Sequence, residues 1–290
     1  MKRILSILSL CALSFSLQAQ EGTNAQRVYN PEVGSQNQQG TYVLRNDDWD
    51  RRVLPHTPVK EEDVMWYKEY KSAINLKLKK NQPLFYPEFP TRFRKSFAQT
   101  IFDAAIKDKT LKVYEDEYFE VEMPIDKLEE KLYRIEMNEV TDFETDEVSI
   151  VPDTIRVLSK DIIEVVVREE RFFDKKRSVM DRRILGMALV ALKQNKETLA
   201  WDKELLFWFY YPEARQTLAN KKIYNVYNSF EEVTMDEFFL KGMYSSVFIK
   251  ESNMQDRSIF DYNEGKLNRL IESERIKEEL RNFEHDMWNY

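Results

Sequence analysis

"DIIEVVVREERFFDKKRSVMDRRILGMALV", residues 161–190, decides how this chain is read. Its outer parts, 161–173 and 178–190, are β-branched and aromatic, the composition of half-buried strands. The stretch between them, Asp174 to Ser178, is short and polar, so the whole predicts one long antiparallel hairpin. The hairpin also concentrates cations. Arg171, Lys175, Lys176, Arg177, Arg182 and Arg183 stand against Asp174 and Asp181, a local excess of four positive charges. The chain as a whole is acidic, with 51 Asp and Glu against 44 Lys and Arg and a formal net charge of −7. A basic hairpin on an acidic chain raises the question of its partner, and the compartment narrows the answer.

Residues 1–19 read as a secretory signal peptide. Lys2 and Arg3 form the charged start, Ile4 to Leu17 the apolar run, and Leu17-Gln18-Ala19 the cleavage signal. A lipoprotein signal is the rival, because Cys11 follows Leu8-Ser9-Leu10; the large Leu before it and its place inside the apolar run argue against lipidation. Cleavage after Ala19 removes the only cysteine, and with Lys2 and Arg3 gone the net charge becomes −9. The exported chain is then expected to fold without disulfides, on its core alone. No later segment approaches 18 uninterrupted apolar residues. Nucleic acid is a poor partner for an exported acidic chain.

Residues 20–60 are rich in Gln, Asn, Gly and Pro and read as a flexible arm, because they bury too little to offset their ordering entropy. Tyr42, Leu44 and Trp49 are its candidates for docking a partner. An α+β domain is expected over 61–290, with a sub-boundary near 140–158. "EEDVMWYKEYKSAINLKLKK" (61–80) carries Val64, Tyr67, Ile74 and Leu78 among charges, before three prolines break the pattern at 81–90. Ser96 to Lys107 predicts a helix with Phe97, Ile101, Ala104 and Ala105 on one face. Residues 111–123 predict one or two strands. Pro124 starts a helix carrying Ile125, Leu128, Leu132 and Ile135, and 138–148 reads as an acidic loop. Beyond the hairpin, "ELLFWFYYP" (204–212) predicts a third strand closed by Pro212. Thr234 and Glu237 form a capping box opening a helix, and 244–252 predicts a strand. Aromatic-Tyr-Pro-Glu steps at Phe85–Glu88 and Tyr210–Glu213 form a faint echo, compatible with two similar α/β halves.

The last segment, 265–290, predicts a long helix with two apolar faces. Ile276, Leu280, Phe283 and Met287 line one; Leu267, Leu270 and Ile271 lie roughly opposite. Either the helix bends near Glu272–Glu274, or the two faces meet two different bodies.

Catalytic equipment is scarce. His56 and His285 are isolated, the chain holds six glycines, and neither a phosphate loop nor a nucleophile elbow is present, so no metal or cofactor is expected. Paired carboxylates keep a glycosidase open on composition alone. Asp142, Glu144, Asp146 and Glu147 could offer oxygen ligands to calcium but lack the turn glycine of the EF-hand pattern. At 13% aromatic and 33% charged, the chain has the residues of an extensive protein-contact surface.

Four stretches, "NQPLFYP" (81–87), "FFDKKRSVMDRRILGMA" (172–188), "ELLFWFYYPEARQTLAN" (204–220) and "RIKEELRNFEHDMWNY" (275–290), together resemble the gliding motility family GldN, called PorN in non-gliding relatives. The similarity runs from about residue 60 to the C-terminus. It implies a non-enzymatic periplasmic subunit of the type IX secretion system of Bacteroidetes. The implied partners are a GldK/PorK-like outer-membrane lipoprotein, in a ring with possible self-association, and a GldM/PorM-like periplasmic shaft. It carries over no catalytic residue. In a bacterium of that phylum Asp153-Thr154-Ile155 would be a candidate O-glycosylation acceptor. The cations Arg171, Lys175, Lys176, Arg177, Arg182 and Arg183 are then expected to meet a partner's acidic groups, with Arg177, Arg182 and Arg183 first for bidentate contact, and Trp288 is a further candidate for partner binding. The alternative is pairing with the chain's own carboxylates, such as Glu169 and Glu170. Two other functions stay open on sequence: a periplasmic carbohydrate- or peptidoglycan-binding module, and the glycosidase.

Overall fold

In the computed structural model, residues 53, 55–91, 94–141, 148–194, 201–225 and 233–287 are described. The first strand is β1 (Val64–Asn75), in which Tyr70, Ser72 and Ile74 point inward while Met65 and Tyr67 face solvent. Helix α1 (Gln82–Phe85) and helix α2 (Phe97–Phe102) follow, the second capped by Ser96 Oγ, which accepts from Gln99 N. Residues 103–107 widen into a π turn. The expected face is realised: Phe97, Ile101, Ala104 and Ala105 are all buried.

The stretch 111–123 yields only the two-residue strand β2 (Val113–Tyr114), with an isolated bridge from Tyr114 to Glu122. The rest is a loop closed by Asp116, whose carboxylate accepts from the backbone N–H of Tyr118, Glu120 and Val121. Helix α3 (Ile125–Lys131) starts after Pro124 but ends before Ile135. That residue instead sits in β3 (Tyr133–Thr141), which pairs with β4 (Val148–Arg156). The expected helix is thus too long, and both ends of the expected acidic loop belong to a hairpin. β-Branched and extended residues beyond Leu132 override the helical spacing. Residues 142–147 lie outside the described residues.

The long hairpin forms as β5 (Ile162–Asp174) and β6 (Val179–Gln194). Its turn is held by Asp174 Oδ1, which accepts from Lys176 N and Arg177 N at 2.9 and 3.2 Å. β7 (Trp201–Tyr210) runs straight into α4 (Tyr211–Ala219), with Pro212 in the first turn as its fixed φ favours. A small pair, β8 (Lys222–Ile223) and β9 (Val233–Thr234), leads to α5 (Met235–Leu240), capped by Thr234 Oγ1 accepting from Glu237 N at 3.0 Å. β10 (Val247–Glu251), α6 (Ile259–Tyr262) and α7 (Lys266–Met287) complete the chain. The fold class is α+β.

Six strands form one sheet in the order β10-β1-β5-β6-β7-β2, every neighbouring pair antiparallel. The hairpin is its centre. The order reads the same from both ends: β1 flanks β5 as β7 flanks β6. The chain leaving β1 supplies the edge strand β2 beside β7, and the chain leaving β7 supplies the edge strand β10 beside β1. The two expected halves are therefore interlocked in one sheet. Their local steps differ, since Tyr86–Pro87 is a cis bond after α1 whereas Tyr211 and Pro212 begin α4.

One face of the sheet carries the core. Ile74, Val165, Val167, Met187, Leu189, Phe207 and Phe209 are buried with Phe97 and Ile101 of α2, Leu218 of α4 and Phe239 of α5. Tyr70 lies on the same face of β1 as Ile74, four residues on, and starts a second cluster with Phe248, Ile259, Ile276 and Leu280 under α6 and α7. On the opposite face the 115–122 loop lies against Gly186, where a Cβ would stand 2.2 Å from the Phe119 ring.

Candidate interaction surface

Strand alternation separates the six hairpin cations. Arg171 and Arg182 are register partners on the helix-covered face. Arg171 donates from Nε and Nη2 to Glu169 Oε1 at 2.9 and 2.8 Å, and its guanidinium stacks 5.7 Å over Tyr70 and 5.6 Å over Phe248. Arg182 is spent on the end of α5. Its Nη1 donates to Tyr244 Oη at 2.8 Å and lies 3.7 Å from Glu169 Oε2, while Nη2 donates to Phe239 O at 2.7 Å. The helix closes there with Gly242 N bonded to Phe239 O and Met243 N to Phe238 O, around Gly242 at φ +63°. Arg182 therefore supplies the cation that the negative end of a helix favours. Burial and the Glu169 carboxylate push the Tyr244 hydroxyl well above its ordinary pKa, so it stays protonated.

Arg183 points to the opposite face. Its guanidinium lies 4.9 Å from the Phe172 ring and donates to Thr57 O at 2.7 Å, which anchors the 55–60 end of the expected arm. Arg177 clasps the turn, with Nε 2.6 Å from Asp174 Oδ2 and Nη2 2.8 Å from Asp181 Oδ2. The Arg177 guanidinium, with the two turn N–H groups, holds the Asp174 carboxyl below the usual carboxylate range. Lys175 and Lys176 are exposed at the tip, and among the described residues neither makes an ion pair. Trp288 and the arm residues Tyr42, Leu44 and Trp49 lie outside the described residues.

A second ionic element was not singled out in the sequence. Arg215 Nε and Nη2 lie 3.1 and 3.2 Å from the two oxygens of Asp236, and Tyr211 Oη donates to the same carboxylate at 2.7 Å; all three side chains are buried. The signal was there. Arg215 falls on the stripe of Tyr211, Ala214 and Leu218, and a cation on an apolar stripe requires a buried anion. His56 sits near this pair, where burial, then Arg215 and Arg183, lower its pKa.

The C-terminal helix is continuous through Glu272–Glu274. One face packs on the sheet edge: Ile276 and Leu280 are buried, Ser273 Oγ accepts from Phe248 N at 2.7 Å, and Phe283 lies 4.9 Å from Trp66. The other face is open, with Leu267 69%, Leu270 48% and Ile271 59% exposed. Leu270, Ile271, Glu274, Arg275 and Glu278 lie together on this open side of the helix. Among the described residues no helix is long and apolar enough to cross a membrane. Nor, among the described residues, does any group of three or more His, Cys, Asp or Glu stand placed to hold a metal ion.

Sheet, exposed tip and open helix face define the class at the level of the fold: an α+β protein built on one antiparallel sheet. The chain belongs to the GldN family, whose model, described as "Gliding motility associated protein GldN", matches residues 59–289. A search of curated proteins gave no match.

Proposed function

We propose that this chain is a periplasmic structural subunit of the type IX protein secretion and gliding machinery. It has no reaction of its own; it builds a ring with an outer-membrane lipoprotein and contacts the shaft that crosses the periplasm. The observation that carries this reading is the family match, which spans 59–289 and so includes the whole sheet and both open surfaces. The surfaces are of a suitable kind. Two exposed lysines at the hairpin tip fit an acidic partner, and the open face of α7 leaves apolar side chains for a second contact. The remaining hairpin cations are engaged within the chain, so acid recognition falls to Lys175 and Lys176.

The test is co-purification of the chain with the lipoprotein, sized by light scattering at low and at high salt. A large complex that shrinks as salt rises is the expected result. A monomer that ignores the lipoprotein at every salt concentration overturns the reading.

A further inference from the structure

We propose that the end of the sheet opposite the hairpin tip is a docking surface for a lipid bilayer with anionic headgroups. The inference goes beyond the reading above and does not depend on the lipoprotein.

The sequence concentrates charge there. Residues 77–95 carry Lys77, Lys79, Lys80, Arg92, Arg94 and Lys95 against Glu88, an excess of five positive charges that leaves the rest of a chain of net −7 at −12. The fold then closes a circuit. β1 ends at Asn75, which faces Glu164 near the start of β5, and Leu76 N donates to Ile163 O at 2.9 Å. The turn that follows is locked by the buried Asn81, whose side chain donates to Asn75 O and Ser245 O and accepts from Ser245 N. α1 then carries the chain to Glu88, whose carbonyl accepts from Ser159 Oγ at 3.3 Å, three residues before β5. Residues 77–80, 86–89 and 158–160 therefore surround one end of the sheet.

Lys77, Lys79, Lys80, Arg94 and Lys160 are exposed, and among the described residues none of them makes an ion pair. Of the carboxylates beside them, Asp161 accepts from Leu158 N at 2.8 Å, Glu164 pairs with Lys203, and Asp103 pairs with Lys95 and Lys107, while Glu88 is exposed. The same stretches present Leu78, Tyr86, Phe89 and Leu158, between 44% and 67% exposed. Lysine heads are compact, strongly hydrated charges without the fork that fixes a carboxylate, and they suit the phosphates of a fluid surface. Leucine and aromatic side chains among such lysines have the chemistry that enters the boundary between headgroups and acyl chains. Because the rest of the chain is acidic, an anionic bilayer attracts this end and repels the bulk of the molecule. The hairpin tip, which faces Val64 eleven residues back along β1, about 36 Å away, then points away from the bilayer.

The test uses the exported chain, residues 20–290, without the lipoprotein, so that its failure and that of the functional reading are separate. The chain is spun with vesicles of phosphatidylglycerol and phosphatidylethanolamine, and with vesicles of phosphatidylcholine alone. The expected result is co-sedimentation with the first, weakened by salt, and none with the second. A lysine near an anionic surface is worth about five-fold in partitioning, so Lys77→Ala, Lys79→Ala and Lys80→Ala together should weaken binding about a hundred-fold, with melting unchanged. Lys175→Ala with Lys176→Ala should leave binding as it is. The emission of Phe89→Trp should shift to the blue on anionic vesicles and be quenched by brominated acyl chains. No co-sedimentation, an equal loss from the two sets of lysines, or a Phe89→Trp emission that ignores the vesicles overturns the proposal. Binding to soluble polyglutamate but not to vesicles also overturns it and assigns this end to an acidic protein.

Discussion

Arg182→Met separates a cation that holds the fold from one that meets a partner. The wild-type guanidinium satisfies Tyr244 Oη and Phe239 O and stands 3.7 Å from Glu169, which is only 1% exposed. Methionine fills similar space but donates nothing. Removing one partner of a buried ionic network costs ~3–5 kcal/mol, because a desolvated charge is left behind. Arg171 still engages Glu169 Oε1 through two bonds, so the loss belongs at the lower end, about 3 kcal/mol. For a domain of this size that is a fall of roughly 6–12 °C in melting temperature. Urea titration followed by circular dichroism measures it directly. Lys175→Ala with Lys176→Ala should stay within about 0.5 kcal/mol of wild type, being surface changes away from any buried network. Glu169→Gln added to Arg182→Met should cost less than the sum of the two single losses, since the charge to be satisfied is gone. An Arg182→Met chain as stable as wild type, yet weakened in partner binding, would refute the assignment of this arginine to the fold.

Three further outcomes follow from the same geometry. Gly186→Ala places a methyl 2.2 Å from the Phe119 ring and 3.0 Å from Phe209 O, and should cost ~1–3 kcal/mol by chemical denaturation, with Phe119→Ala recovering part of the loss. Burial, aided by Glu69, raises the Glu170 pKa above its usual value despite Arg183. Its protonated form is therefore the one the fold prefers, and the preference is lost as pH rises through the folded pKa. Glu170→Gln should raise the melting temperature at pH 7 and leave it unchanged below pH 4; equal melting at both would contradict this. Desolvation and two arginines lower the His56 pKa, so the fold favours neutral imidazole and loses stability as pH falls below 6.5. His56→Gln should flatten the wild-type difference in melting temperature between pH 7 and pH 5.5.

The hairpin was legible in the sequence because both its strands are rich in β-branched and aromatic residues and the turn is marked by Asp174 and Ser178. The two faces of α7 were legible because 3.6-residue periodicity survives burial. β1 gave no clear element, since Val64, Tyr67, Ile74 and Leu78 are spaced as a helix would space them while Tyr70, Ser72 and Ile74 are the residues that face inward. The β3–β4 hairpin was hidden by its acidic residues, and by Ile135 continuing the rhythm of the preceding helix. The candidate site was legible as a charge excess but not as a surface. Sequence gives the sign of each residue, whereas the partner of Arg182 is a helix end brought in from Phe239, 57 positions away.

That distinction bears on what the tip can do. If all six cations had been free, the hairpin would make a strong anion-binding arm, tight enough for one copy to hold a polyanion. With the arginines of the stem spent on Glu169, Tyr244, Thr57 and the turn aspartates, the proposed recognition of acidic groups is left to two lysines with flexible, well-hydrated ends. Exposed pairs of that kind contribute ~0.2–1 kcal/mol each and fade as salt rises. Such a contact has little use between single molecules in dilute solution. It becomes effective where many copies stand in register, so that each contact is made at high local concentration. Weak tips on a rigid sheet therefore suit a subunit of a large repeated assembly, whose members must find their register before they lock, better than they suit a stand-alone binding module.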